Sequence, residues 1–424
     1  MTATTATQQR EVRLDFFRGL AMFIILIAHM PGNRWTLFIP ARFGPSDATE
    51  MFVFCSGFAS AIAFGGVFIR RGFGLGLVRI VFRCWQIYWA HICLFLMTAT
   101  VCILGNEYIA VKDYVSQLNL MPFFKDPISG FKHLLTLTYV PNYFDILPMY
   151  MVVLLMLPIV VALSRVHVLA AGAFCVGVWA ANMAFDLRLS AEWWSNRQWF
   201  FDPLGWQLIF FTGFAFGSGW LRAPKPNRRL VIAALAFVVV LAPISYYKAR
   251  LAFPQLHLQD MRDALQWGFQ KTDFGLLRYV HFLALAYLMH CLFHSGREQI
   301  LRGDWAKPII TVGQQALATF IASMVLARII GMSLDVVGRD TFNVAVANLT
   351  GFAILIFVAR LVAYFKSTPW KRRPVPEAPP PATVAIAPAE RPARAGPRPA
   401  PIPATPAFGV ASRAATTARA AKSG

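Results

Sequence analysis

The chain has little charge for its length. Charged residues make up 14% of its 424 residues, whereas an average soluble domain is about 25% charged. Acidic residues are the scarcest, because only 20 Asp and Glu stand against 40 Lys and Arg, for a net charge of +20. Hydrophobic residues reach 57%. This composition excludes an ordinary soluble enzyme and predicts a polytopic membrane protein.

The cysteine patterns of secreted and metal-binding proteins are also missing. All six cysteines fall within or at the edge of apolar runs, which argues against a disulfide framework. No Cys-x-x-Cys pair occurs in a polar segment, so no metal site is predicted. The basic surplus lies mainly in short loops and in the C-terminal tail, where membrane topology explains it. Nucleic acid is therefore not an expected partner.

Long apolar runs are abundant instead. A helix needs roughly 20 apolar residues to cross a bilayer. The chain therefore predicts an all-α, polytopic bundle of about ten transmembrane helices, near residues 14–32, 49–67, 81–104, 146–164, 168–185, 204–221, 229–246, 277–294, 308–330 and 344–365. The predicted organisation is a cytoplasmic N-terminus over 1–12, a transmembrane domain over 13–365 and a tail over 366–424.

The basic residues of the loops predict the orientation of the bundle. They cluster before the first run and after the second, fourth, sixth, eighth and tenth runs. The positive-inside rule predicts this alternation when both termini are cytoplasmic. The tail over 366–424 is basic and rich in Pro and Ala. Because such a composition cannot bury a core, we expect a disordered tail that is attracted to anionic lipid headgroups.

The first apolar run carries ionisable residues at both ends. It reads RLDFFRGLAMFIILIAH over 13–29, with Arg18 eleven residues before His29. At 1.5 Å of rise per residue, the two lie about 16 Å apart along a helix. Ionisable residues in a membrane span often mark function. We therefore expect a catalytic His29 near the outer face and an anion-binding Arg18 at the cytoplasmic mouth. The alternatives are a snorkelling anchor at Arg18 and an interfacial histidine at His29.

A second basic cluster begins the third run. Arg79 and Arg83 are four residues apart, so they share one helix face. Arginine suits multidentate binding of phosphate. Together with Arg18, this pair predicts an anion site at the cytoplasmic ends of two spans. The alternative is positive-inside topology, which we prefer for the neighbouring Arg70 and Arg71.

Three stretches at the outer ends of later runs combine charges, amides and aromatic rings: TYVPNYFDILPMY, EWWSNRQWFFDPLGWQ and KTDFGLLRYVHF. Rings can stack on the apolar faces of pyranoses while polar groups bind the hydroxyls, so a sugar site is predicted here. Its candidates are Asp145, Asp202, Trp206, Gln207, Arg278 and His281. For Trp193, Trp194 and Trp199, an aromatic belt at the membrane interface is the preferred interpretation.

These stretches together resemble a known family. DFFRGLAMFIILIAH is similar to the first span of the acyltransferase type 3 superfamily of membrane acyltransferases. The chain more specifically resembles the OpgC family, over most of residues 13–290. The stretches that carry this resemblance are ATEMFVFCSGFASAIAFG, RCWQIYWAH, YVPNYFDILPMYMVVLLMLP, FDPLGWQLIFFTGFAFG and LLRYVHFLALAYL.

The resemblance implies a multi-pass enzyme of the bacterial inner membrane. Such an enzyme moves succinyl groups from cytoplasmic succinyl-CoA to periplasmic glucans, with acyl-CoA as a co-substrate and no permanent cofactor. The superfamily pattern assigns functional roles to Arg18 and His29, and donor binding to Arg79 and Arg83. His29 then acts as a general base or as an acyl acceptor. Asp145 or Asp202 orients the imidazole or binds the sugar.

Two other functions fit the same residues. One is an O-acetyltransferase that acts on another envelope polysaccharide. The other is a transporter or flippase of glycans, which needs no base at the outer end of the first span. No internal repeat is evident in the sequence, and this disfavours the transporter.

Overall fold

The structure is a computed structural model that describes residues 12–294 and 297–370. Within these residues the chain forms helices and no β-strand, with one isolated bridge between Ser190 and Gln198. The predicted all-α fold is therefore confirmed. Residues 1–11 and 371–424 lie outside the described residues. The disorder predicted for the tail falls mainly on the second of these segments and stays a prediction.

Ten principal helices follow the ten predicted runs. They are α1 (Val12–His29), α2 (Ala48–Ser60), α3 (Phe73–Leu104), α4 (Ile146–Val166), α5 (Val168–Phe185), α6 (Pro203–Gly217), α7 (Arg228–Ser245), α8 (Leu276–Leu292), α9 (Ala316–Val337) and α10 (Thr341–Lys366). Helix α2 continues through a π turn to Arg70, and α3 through another to Ile109. Short helices occupy the connections, among them Pro127–Leu135 and Lys307–Gln314.

Fewer than ten of these helices have the length and hydropathy of a complete span. Seven described helices are long and apolar enough to cross a membrane: α2, α3, α4, α5, α7, α9 and α10. The remaining three are α1, which carries Arg13, Asp15 and Arg18, α6 with 15 residues, and α8 with 17. The predicted count of ten spans is thus not supported, because charge shortens the apolar part of α1 and chain length limits the other two.

Glycine allows the closest helix contacts. A Cβ on Gly57 of α2 would overlap the carbonyl oxygen of Phe210, and one on Gly213 of α6 would overlap that of Phe54. Helices α2 and α6 therefore meet backbone to backbone, which is a common way to pack apolar helices without a hydrophobic driving force. Gly19 of α1 and Gly313 of the Lys307–Gln314 helix make the same kind of contact.

One end of the bundle gathers the elements that frame the candidate site. Helix α1 ends there at His29, and α2, α4, α6 and α8 all begin there. Their connections are long and irregular compared with those at the opposite end. Helix α3 instead turns exposed apolar side chains outward, as expected of a lipid-facing surface; these include Val78, Phe82, Trp85 and Trp89.

Candidate functional site

His29 is presented by the last turn of α1. Its Nδ1 lies 2.8 Å from the carbonyl oxygen of Ile25. Because a carbonyl only accepts, Nδ1 carries the proton of the neutral imidazole and Nε2 holds the lone pair. Nε2 has no hydrogen-bond partner among the described residues. The ring is thus fixed by its own helix in the tautomer that a general base requires.

Tyr143 packs against His29. Its ring meets the imidazole edge-on, with centroids 5.5 Å apart, and the guanidinium carbon of Arg328 lies 4.8 Å from the tyrosine centroid. Tyr143 has a φ of +74°, a conformation that bulky residues rarely adopt and that is often found at functional sites. This backbone turn brings the ring beside the histidine.

A cavity of about 670 Å³ opens beside His29. Its walls come from the end of α1, residues 39 and 41, the start of α2, the segment 142–146, Arg188, the segment 197–201, residues 271–272 and Phe320 of α9. Six acidic, basic or imidazole side chains line it, and we call them the cavity wall: His29, Asp47, Asp145, Arg188, Arg197 and Lys271. The predicted residues His29 and Asp145 therefore share one cavity. Trp199, which was interpreted as part of an aromatic belt, also lines it and is buried.

Asp145 precedes α4 but does not cap it. Its backbone is helical, and its side chain makes no cap hydrogen bond to α4. One carboxylate oxygen instead accepts the backbone N–H of Phe200 at 2.8 Å. The side chain is 2% exposed, and burial raises the pKa of Asp145 to about 6. A carboxyl with this pKa can exchange a proton near neutral pH.

Asp47 and Lys271, which both line the cavity, form an ion pair. The Lys271 ammonium lies 2.6 Å from Asp47, and Arg278 lies 3.6 Å from the same carboxylate. Burial acts to raise the pKa of Asp47, but the two cations outweigh it and hold the pKa below its usual range. Asp47 therefore stays ionised, and it also caps α2 through Thr49.

The two arginines of the cavity wall are fixed by carboxylates behind it. Arg188 makes two hydrogen bonds to Asp273, at 2.8 and 2.7 Å. Arg197 donates to Glu192 and to the carbonyl oxygen of Val140, at 2.7 and 2.6 Å. Paired guanidinium groups of this kind are held rigidly, so they present positive charge at defined positions.

Five residues of the predicted sugar site do not line the cavity: Asp202, Trp206, Gln207, Arg278 and His281. We call these residues the packed layer. Asp202 caps α6 by accepting the backbone N–H of Leu204 at 3.1 Å. The indole of Trp206 donates to the carbonyl oxygen of Lys271 at 2.9 Å, and Gln207 donates to that of Cys175 at 2.7 Å. Trp206 thus holds the main chain of a residue in the cavity wall.

The α8 residues of the packed layer bond to the start of α2. Arg278 pairs with Glu50, which is 0% exposed, at 2.6 Å. His281 exchanges a hydrogen bond with Ser46 at 2.7 Å between Nδ1 and Oγ. These contacts join α8 to α2 behind the cavity, and they leave neither side chain at its surface.

The three predicted donor-binding arginines lie away from the cavity. Arg79 is exposed on α3, and Arg83 donates to Gln86 of the same helix at 3.0 Å. The Nε of Arg18 is buried without a hydrogen-bond partner. Within the described part of the chain, no carboxylate pairs with any of these three side chains, so all three remain available to an anion.

The sequence did carry a signal for one wall residue that it did not single out, Asp47. Asp47 and Glu50 form a capping box: the side chain of Asp47 accepts from the first turn, while that of Glu50 accepts the Asp47 backbone N–H at 2.7 Å. The pattern of Asp followed three residues later by Glu, ahead of an apolar run, is readable in DATEMF. Lys271 lies in KTDFGLLRYVHF, one of the three stretches predicted to bind a sugar. No local sequence pattern indicates that it pairs with Asp47.

Fold and site define a helical membrane protein with a cavity at one end of its bundle that is lined by His29 and by several charged side chains. The family described as OpgC protein matches residues 10–367, and the chain belongs to this family. Membership indicates an acyltransferase of the OpgC type that acts on glucans. No curated protein and no solved structure matches the chain.

Proposed function

We propose that this protein moves a succinyl group from succinyl-CoA to a hydroxyl of periplasmic glucans, with His29 as the general base. The observation that carries the proposal is the position and tautomer of His29. Its Nδ1–H donates to the carbonyl oxygen of Ile25, and its ring lines the cavity. The alternative role as an interfacial histidine accounts for the bond to the i−4 carbonyl but not for the position of the ring in the cavity. Family membership supports the reaction class.

The chemistry requires one proton to move twice. As the acceptor oxygen attacks the thioester carbonyl carbon, its proton passes to Nε2 of His29. The C–S bond then breaks, and the imidazolium returns the proton to the CoA thiolate. Asp145, with its pKa raised to about 6, lines the same cavity and binds the sugar or orients the acceptor hydroxyl. Transfer through an acyl-His29 intermediate is the second route.

Lys271 favours succinyl over acetyl as the acyl group. An ammonium has three donors, and Lys271 makes one hydrogen bond, to Asp47. Lys271 lines the cavity together with the cations Arg188 and Arg197. A succinyl group ends in a carboxylate and an acetyl group does not, so only the former can use these charges.

The donor reaches His29 from the opposite end of α1. With the N-terminus on the cytoplasmic side of the bacterial inner membrane, Arg18 lies at the inner mouth, about 16 Å from His29 along the helix axis. Arg18, Arg79 and Arg83 bind the CoA phosphates there. The pantetheine arm then carries the thioester towards the outer face, where the glucan enters the cavity.

The substitution His29→Ala tests this assignment. Glucan acylation is measured by mass spectrometry on cells that carry the variant, together with the amount of protein in the membrane. We expect no acyl substituent at normal protein levels, because no other side chain of the cavity wall is a neutral base of this kind. The matched control is His257→Asn, since His257 is exposed, pairs with Asp260 and has a φ of +49° that Asn tolerates.

Near-normal acylation in the His29→Ala strain would remove His29 from the mechanism. The same spectra identify the acyl group, because succinyl and acetyl substituents differ in mass. Loss of acetyl esters would transfer the assignment to an O-acetyltransferase. If the glucans carried the same acyl esters with and without the gene, transport would remain as the function.

A further inference from the structure

A second concave surface lies near the cavity and has no role in the mechanism above. It is an open groove of about 400 Å³ between the short helices that follow α3 and the loop before α6. We call it the tryptophan groove. The residues used below are Ser116, Asn119, Lys125, Asp126, Trp193 and Trp194.

The two tryptophans form a rigid platform. Their rings meet at 90° with centroids 4.3 Å apart, and His133 stacks on Trp193 at 4.7 Å and 9°. Trp194 remains 37% exposed. An aromatic belt requires rings that reach the headgroups individually. These rings are instead fixed against each other at the wall of a groove, which is how binding sites use aromatic side chains.

Polar groups surround the platform. Lys125 is exposed and has no ion-pair partner in the part of the chain that the structure describes. Asn119 donates its amide N–H to Glu192 at 2.7 Å, which leaves its carbonyl oxygen as an acceptor. Asp126 uses one oxygen to cap the Pro127–Leu135 helix through Ser129, at 3.2 Å. Aromatic faces beside both donors and acceptors suit a pyranose, which has apolar C–H faces and a rim of hydroxyls.

One buried carboxylate connects this groove to the cavity. Glu192 accepts from Asn119 of the groove at 2.7 Å and from Arg197 of the cavity wall at 2.7 Å. The following residues continue the connection, because Trp193 and Trp194 line the groove while residues 197–201 line the cavity. A single loop therefore borders both spaces.

We propose that the tryptophan groove is a saccharide subsite that binds a glucosyl unit of the acceptor chain away from the unit acylated at His29. The inference rests on the proposed function, since it names the part of the acceptor that this surface recognises. It also predicts a preference for long acceptors, because only a chain that spans both spaces uses both sets of contacts.

The test compares Trp194→Ala with the wild type on the full-length protein in detergent. Two acceptors are used: a long linear glucose oligosaccharide and the disaccharide of the same linkage. We expect KM for the long acceptor to rise about tenfold with kcat unchanged, because one stacking contact is lost. KM for the disaccharide is expected to stay the same. Trp194→Phe keeps a ring and is expected to retain most of the affinity.

A binding measurement separates this proposal from the proposed function. Titration calorimetry with the long oligosaccharide and no acyl donor is expected to give about tenfold weaker binding for Trp194→Ala. Lys125→Ala provides a second variant in the same groove. If both variants bind and use the long acceptor like the wild type, the subsite proposal is overturned. If the wild type binds the oligosaccharide through Trp194 but transfers no acyl group, the subsite stands and only the acyltransferase function fails.

Discussion

The cavity wall and the packed layer contain the same kinds of residue at the same end of the bundle. Each combines histidine, aspartate and a basic residue near the ends of apolar helices. The packed layer nevertheless uses these groups to hold helices and loops together, through Asp202, Trp206 and Arg278. Access to a cavity, and not polarity near a helix end, separates the two regions.

Asp145 and Asp202 make the difference concrete. Each immediately precedes an apolar helix, and each was a candidate to orient the catalytic imidazole or to bind the sugar. Asp202 is followed by Pro203, which disfavours a helical backbone in the preceding residue. Asp202 is therefore extended, with φ −71° and ψ 120°, and caps α6. Asp145 is followed by Ile146, adopts φ −67° and ψ −27°, and cannot cap α4, so its side chain is free to line the cavity.

The largest stability effect is expected in the packed layer. Arg278→Met leaves Glu50 buried without its partner, which costs about 3–5 kcal/mol for a buried pair. Thermal unfolding of the purified protein measures the loss. The double variant Glu50→Gln/Arg278→Met removes both charges and is expected to recover much of it. If Arg278→Met were as stable as the wild type, the Arg278–Glu50 pair would contribute nothing to the free energy of unfolding.

The largest catalytic effect after His29 is expected at Asp145. Asp145→Asn should lower kcat/KM about 100-fold with little change in the thermal midpoint, since an amide oxygen still accepts from Phe200. Burial raises the pKa of Asp145 to about 6, so the carboxylate is lost as the pH falls through that value. Wild-type kcat/KM should decline below about pH 6, and the variant should lack this decline. An identical pH profile in the two proteins would exclude Asp145 from the reaction.

A smaller effect on selectivity is expected at Lys271. Lys271→Met removes the charge but keeps an unbranched side chain beside Phe200 and Phe201. The ratio of kcat/KM for succinyl-CoA to that for acetyl-CoA should fall about tenfold, the value of one charged hydrogen bond. Lys271→Arg retains the charge and should keep the preference. An unchanged ratio in Lys271→Met would contradict recognition of the acyl carboxylate.

The smallest effect is expected at Asp202. Burial raises the pKa of Asp202 from 3.8 to about 6. The folded protein therefore favours the protonated carboxyl of Asp202. The contribution of this carboxyl to the free energy of unfolding is lost as the pH rises through about 6. Asp202→Asn still caps α6 but does not titrate, so its thermal midpoint should exceed that of the wild type above about pH 6. A fall in kcat/KM at constant stability would return Asp202 to the catalytic residues.

Local sequence accounts for much of what was found. The ten apolar runs predict ten principal helices to within a few residues at most boundaries, because a continuous apolar surface in a membrane has few alternatives to a helix. The largest boundary errors are at α9, which begins at Ala316 and not near 308, and at α3, which begins at Phe73 and not near 81. Apolar side chains along the first two turns of α3 are exposed, as expected of a lipid-facing surface. The glycines of GFGLG did not prevent a helix there.

The set of residues that line the cavity could be identified only from the folded structure. Asp47 and Lys271 are 224 residues apart and meet at 2.6 Å, and no local pattern links them. His29, in contrast, was identifiable alone, since a histidine at the end of an apolar run is unusual wherever it occurs. Helix formation depends on neighbours along the chain, whereas access to a cavity depends on which distant segments leave space between them. The sequence was therefore sufficient for the helical membrane fold, for the family and for naming His29 as a candidate, and packing alone separated the side chains that line the cavity from those that hold the bundle together.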